Sequence, residues 1–62
     1  MENIDFELLR IDLINYFGSA TSFYPNAYMD VINVQNATYE ELIAIAIENN
    51  FDLNNYIINK QY

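Results

Sequence analysis

The chain has 62 residues and carries nine Asp and Glu against two cations, Arg10 and Lys60, which gives a formal net charge of −7 at pH 7. It contains no His and no Cys, which excludes catalytic relays that need imidazole or thiolate and the zinc sites built from them. The shortage of Lys and Arg also disfavours direct binding to nucleic acid and to anionic membranes.

A first helix is predicted from about residue 3 or 5 to Phe17, with Gly18 as the left-handed residue after its end. Apolar and acidic residues alternate over residues 4–8, which leaves a brief strand as the alternative. The apolar pattern continues too far along the chain for a short strand, so helix is the favoured interpretation.

This first helix has two apolar stripes in helical projection. One stripe, expected to face the core, consists of Phe6, Leu9, Leu13, Tyr16 and Phe17. The other consists of Ile4, Leu8 and Ile11 and is separated from the first by polar residues on both sides. A helix that is apolar on two sides is either enclosed within its own fold or shared with another chain. Ile4, Leu8 and Ile11 are therefore a candidate contact strip.

The segment from Ser19 to Ala37 is predicted to contain a short second helix. Pro25 fits the first position of a helix, and an amphipathic pattern then continues to about Asn33. The β-branched run 31–34 allows an extended strand instead. Helix is favoured because no second convincing strand is available to pair with this one, and isolated strands are not stable.

Aromatic residues gather around the first predicted loop. Most of them are expected in the core, because a small bundle needs large side chains to bury enough area. Phe23 and Tyr24 lie in the predicted turn and are expected to be exposed. Exposed aromatic side chains act as anchors at interfaces, which makes Phe23 and Tyr24 a second candidate contact.

A third helix is predicted to start at Thr38, where Thr38 and Glu41 form a capping-box pattern before an apolar run. Its apolar face is predicted to hold Tyr39, Leu42, Ile43, Ala46, Ile47 and Asn50. The opposite side holds Glu40, Glu41 and Glu48, which form a candidate acidic face. Asn49 and Asn50 end this helix, and Asp52 is predicted to cap a short terminal helix that carries Leu53, Tyr56 and Ile57.

Part of the chain has a local resemblance to known families. The segment 38–56, TYEELIAIAIENNFDLNNY, resembles the capped helix and following turn of nitrogen-fixation-type leader peptides and of helix-extended-loop-helix modules. Those families have Gly where this chain has Asn50, and the residues before Thr38 do not match them. The resemblance covers under a third of the chain, so we assign no family from it. It would imply a docking element rather than an enzyme.

The sequence as a whole predicts one small all-α domain over residues 1–62, a bundle of three helices plus a short C-terminal helix. No apolar run approaches the ~20 residues of a membrane span, and the acidic start of the chain is unlike a signal peptide, so a cytoplasmic location is expected. We expect no enzyme activity, cofactor or metal.

The predicted function is a non-catalytic protein–protein interaction module, with self-association as one mode of contact. The alternative is an acidic inhibitor that mimics nucleic acid and blocks a basic nucleic-acid-binding protein. Such mimicry needs carboxylates clustered at phosphate-like spacing.

Overall fold

A computed structural model describes residues 3–58, which form three α-helices and a short 3₁₀ helix. Helix α1 spans Phe6–Ala20, α2 spans Ala27–Gln35, α3 spans Tyr39–Glu48, and the 3₁₀ helix η1 spans Leu53–Tyr56. The predicted all-α bundle is confirmed. Residues 1 and 2, at the acidic start of the chain, and the cation Lys60 lie outside the described residues.

The core lies where α1, α2, α3 and η1 meet. Its buried members are Leu9, Leu13, Val34, Ala37, Leu42, Ala46 and Tyr56. Leu9 and Leu13 come from the predicted core stripe of α1, and both are fully buried. Because α2 and α3 each contribute buried residues beside these two leucines, α1 is the element on which the rest of the bundle packs.

Helix α1 begins and ends later than predicted. Asp5 is its N-cap, and the Asp5 carboxylate accepts a hydrogen bond from the backbone N–H of Leu8 at 3.1 Å. Gly18 lies inside the helix and is not left-handed, so that prediction is wrong. The Ser19 hydroxyl donates to the Asn15 carbonyl and the Thr21 hydroxyl to the Gly18 carbonyl. These side chains bond carbonyls in the last turns, so the helix can continue without a glycine end.

The two ends of the described chain are joined by backbone hydrogen bonds. Ile4 and Ile57 form one antiparallel bridge. The Asp5 N–H donates to the Tyr56 carbonyl at 2.6 Å, and the Ile58 N–H donates to the Asn3 carbonyl at 2.8 Å. The brief strand considered over residues 4–8 is thus reduced to a single bridging residue.

Helix α2 confirms the choice of helix over strand for residues 31–34. Its first helical residue is Ala27, two positions after Pro25, so the prediction that Pro25 opens the helix is wrong. Pro25 lies in the turn before α2, where its carbonyl accepts from the Tyr28 N–H at 3.1 Å. The helix also runs to Gln35, beyond the predicted end at Asn33.

Arg10 explains why α2 extends to Gln35. Its Nη1 donates to the carbonyl oxygens of Val34, Gln35 and Ala37 at 2.8, 3.2 and 3.0 Å. The last carbonyls of a helix have no partner within that helix, and the helix dipole makes this end attractive to cations. Arg10 supplies both the donor and the charge, so it caps α2 from α1.

Helix α3 begins as predicted, with a complete capping box. The Glu41 backbone N–H donates to the Thr38 hydroxyl at 3.2 Å, and the Thr38 N–H donates to Glu41 Oε1 at 2.8 Å. At its other end Asn50 has φ 64°, the left-handed conformation that usually favours glycine. The predicted end of α3 and the predicted Asp52 cap are also confirmed, although η1 ends at Tyr56, before Ile57.

The predicted apolar face of α3 is rotated in the structure. Leu42 and Ala46 are buried as expected, but Tyr39 is 57% exposed and Ile47 is 60% exposed. Ile45, which the prediction left off this face, packs against the core. Spacing alone fits several neighbouring faces in so apolar a segment, and contact with α1 selects one of them.

We expect replacement of Thr38 by Ala to lower the free energy of unfolding by about 0.5–2 kcal/mol, because the Glu41 N–H loses its acceptor. Thr38→Ser retains the hydroxyl and should lose little. Chemical denaturation followed by circular dichroism measures both. If Thr38→Ala is as stable as the wild-type protein, the capping box does not stabilise α3.

Candidate functional site

The side of the α1–α2 hairpin that faces away from α3 carries exposed apolar side chains. We define the outer face as Leu8, Ile11, Tyr28 and Ile32, which are 43%, 54%, 66% and 45% exposed. Leu8 and Ile11 are predicted strip residues, whereas the sequence interpretation did not identify Tyr28 and Ile32 as a surface.

The position of α2 follows from its neighbours. Asp30, Asn33 and Val34 line a cavity together with α3 residues, so this side of α2 faces α3. Tyr28 and Ile32 are one turn apart and, at about 100° per residue, lie well away from that side. Arg10 reaches the end of α2, so the two helices run antiparallel. From helical projection we infer that both pairs of outer-face residues lie on the side of the hairpin away from α3.

Ile4 separates from the other two residues of the predicted strip. It precedes α1 instead of lying within it, its backbone bridges to Ile57, and its half-buried side chain packs against the core. The proposed intermolecular role of Leu8 and Ile11 stays a prediction. Ile4 is left out of the outer face because its side chain already has an intramolecular destination.

The loop between α1 and α2 exposes Phe23 and Tyr24 as expected, at 79% and 69%. Their role as a contact stays a prediction. The expectation that the other aromatics of this region lie in the core is wrong for Tyr28, and Tyr16 is only half covered at 48% exposure. The Tyr16 ring is partly covered by edge contacts with Phe17 and Phe51.

The carboxylates of the predicted acidic face point to different surroundings. Glu40, Glu41 and Glu48 are all exposed. Glu41 also accepts the capping-box hydrogen bond and lines a depression beside Asn36, whereas Glu48 lines the cavity between α2 and α3. Within residues 3–58, no three carboxylates are grouped so that they could hold a metal ion.

One titratable pair is positioned by the core. The hydroxyl of the buried Tyr56 donates to Asp12 Oδ2 at 2.6 Å. Burial, the hydrogen bond to Asp12 and the negative charge of Asp12 together raise the pKa of Tyr56 from 10.0 to about 12. The contact between the Tyr56 phenol and Asp12 ties η1 to α1, which is a structural role.

Comparison with known proteins does not indicate a family or a function for this chain. No family model, curated protein or solved structure matches this chain, and the resemblance of segment 38–56 gains no support from them. In the part of the chain that the structure describes, none of the helices is long and apolar enough to cross a membrane.

Proposed function

We propose that this protein is a non-catalytic protein-binding module that uses the outer face as its contact surface. The observation that carries the proposal is the exposure of Leu8, Ile11, Tyr28 and Ile32 on one side of the hairpin. Large apolar side chains exposed on one side of a small protein are costly to leave in water, and such surfaces often mark contacts with other proteins. Tyr28 adds a large, rigid side chain of the kind that anchors such contacts.

The distribution of charge supports the same surface. Carboxylates are placed mainly elsewhere: Asp12 is bonded to Tyr56, Asp30 faces α3, and Glu48 belongs to α3 itself. Glu7, in the first turn of α1, is the carboxylate nearest the outer face in helical projection. Depletion of charge at the centre of a patch is typical of protein interfaces. A partner would therefore be apolar at its own contact, and a second copy of this chain meets that requirement.

We expect the wild-type protein to self-associate through the outer face, because a symmetric dimer would cover the outer faces of both copies. Sedimentation equilibrium at micromolar concentration measures this. Ile11→Glu combined with Ile32→Glu should give a folded monomer, since both positions are exposed. Ile47→Glu is the control, because Ile47 is at least as exposed as Ile11 and Ile32 but lies on α3.

If the wild-type protein is monomeric, the outer face is tested for contact with a different protein. A photo-crosslinking amino acid at position 28 should then join a protein in the producing cell, while the same group at position 47 should not. Equal crosslinking at both positions, or association that survives Ile11→Glu and Ile32→Glu, would contradict the proposal. Steep salt dependence and competition by nucleic acid would instead favour the acidic mimic.

A further inference from the structure

A groove runs along the seam between α2 and α3, on the other side of α2 from the outer face. Its centre is a cavity of about 340 Å³ whose apolar base is formed by Phe17, Val34 and Ile45. A neighbouring depression towards Tyr24 shares Phe17 with it, and one towards the start of α3 shares Ile45. The three depressions therefore lie next to one another along α2.

The rim of this groove offers hydrogen-bond acceptors. Asp30 on α2 and Glu48 on α3 both line it, and ionised carboxylates only accept hydrogen bonds. Asn36 and Asn49 each donate one side-chain N–H to the carbonyl four residues earlier, at 3.0 and 2.8 Å, which leaves the side-chain oxygen and the second N–H of each amide. Asp30 and Glu48 are the charged groups of the lining, so they favour an occupant that brings positively charged donors.

Glu48 is unfavourably placed for the isolated helix. It is the last residue of α3, and the last turn of α3 contains no basic residue. The negative end of the helix dipole disfavours a carboxylate at this position and favours a cation. A cation bound beside Glu48 would offset both the dipole and the carboxylate.

We propose that the groove binds a cationic segment of a partner protein, with arginine at the rim and apolar side chains against Phe17, Val34 and Ile45. Arginine suits the rim because its planar guanidinium has five donors and pairs with carboxylates. The net charge of −7 would attract such a segment from a distance. This groove and the outer face are separate surfaces, so the inference does not depend on the proposed function.

The probe is a short fluorescein-labelled peptide of alternating leucine and arginine. Helix α2 has nine residues and is about 13 Å long, a distance that an extended peptide covers with about four residues. We expect binding by fluorescence polarisation, and amide NMR shifts centred on Asn33 and Asn49. Asp30→Asn combined with Glu48→Gln should weaken binding about tenfold.

The control is Glu40→Gln combined with Asp52→Asn, which removes the same charge from exposed residues that do not line the groove. Asparagine keeps the side-chain oxygen that caps η1. It should weaken binding about twofold or less. Glu48→Gln alone should also raise the unfolding midpoint, because it removes the unfavourable charge at the end of α3.

Four results would overturn the proposal. The first is equal affinity for a peptide in which citrulline replaces arginine, since citrulline lacks the charge. The second is equal loss of binding in the control and groove variants. The third is a set of NMR shifts centred on the outer face. Spermine that binds as tightly as the peptide would overturn the assignment to a protein segment.

Discussion

Replacing Arg10 with Met should lower the free energy of unfolding by about 2–3 kcal/mol, because three carbonyl oxygens at the end of α2 lose one charged donor. Methionine retains much of the apolar stem, so the loss reports on the guanidinium group rather than on packing. Urea denaturation followed by circular dichroism gives the change, and amide hydrogen exchange locates it. The largest loss of protection should fall in α2.

Arg10→Lys is the matched control for this prediction. Lysine keeps a positive charge near the negative end of the α2 dipole, but its ammonium group on a different side chain does not reproduce the position of Nη1 among the three carbonyls. It should therefore be intermediate in stability between the wild-type protein and Arg10→Met. If Arg10→Met has the same free energy of unfolding as the wild-type protein, the contacts with Val34, Gln35 and Ala37 do not stabilise the bundle.

The elements that could be predicted from the sequence are those fixed by neighbouring residues. Thr38 and Glu41 lie three residues apart and satisfy each other's backbone partners, so the start of α3 is visible as a pattern. The Asp52 carboxylate likewise accepts a hydrogen bond from the backbone N–H of Asn54, two residues later, at the start of η1. The favoured helix at 31–34 followed from the lack of a partner strand, which is a property of the whole chain that can be read directly.

Features that join distant parts of the chain could not be predicted. Arg10 contacts Val34 and Ala37, which are 24 and 27 positions away, and no local spacing encodes that pairing. The bridge between Ile4 and Ile57 has the same character. Gly18 was predicted to end α1 because glycine readily adopts the left-handed conformation. In the structure α1 continues through Gly18, and the Ser19 and Thr21 hydroxyls donate to carbonyls of its last turns.

Two of the four residues of the outer face could be predicted from the sequence. Leu8 and Ile11 stood out because polar residues separate them from the core stripe. Tyr28 and Ile32 are not among the predicted contact residues, because the amphipathic pattern after Pro25 was interpreted only as evidence for a helix. Their spacing did contain a signal: they are four residues apart, whereas the buried residues of α2, Ala27 and Val34, define a different face of the helix.

Replacing Tyr56 with Phe should lower the free energy of unfolding by about 1.5–3 kcal/mol near pH 7, because the half-buried Asp12 carboxylate loses its 2.6 Å hydrogen bond from the phenol. Tyr28→Phe is the matched control. It removes the same hydroxyl from a residue that is 66% exposed, so it should change stability by less than about 0.5 kcal/mol.

The same contact predicts how this difference depends on pH. Folding raises the pKa of Tyr56 from 10.0 to about 12, so the stabilisation is fully present below pH 10 and is lost as the pH rises through 12. The gap in unfolding free energy between wild-type protein and Tyr56→Phe should therefore narrow between these values, and tyrosinate absorbance of the wild-type protein should show a late step that Tyr56→Phe lacks. If this difference in unfolding free energy stays constant between pH 10 and 12, Tyr56 has the same pKa in the folded and unfolded chains. The hydrogen bond to Asp12 would then not stabilise the protonated phenol.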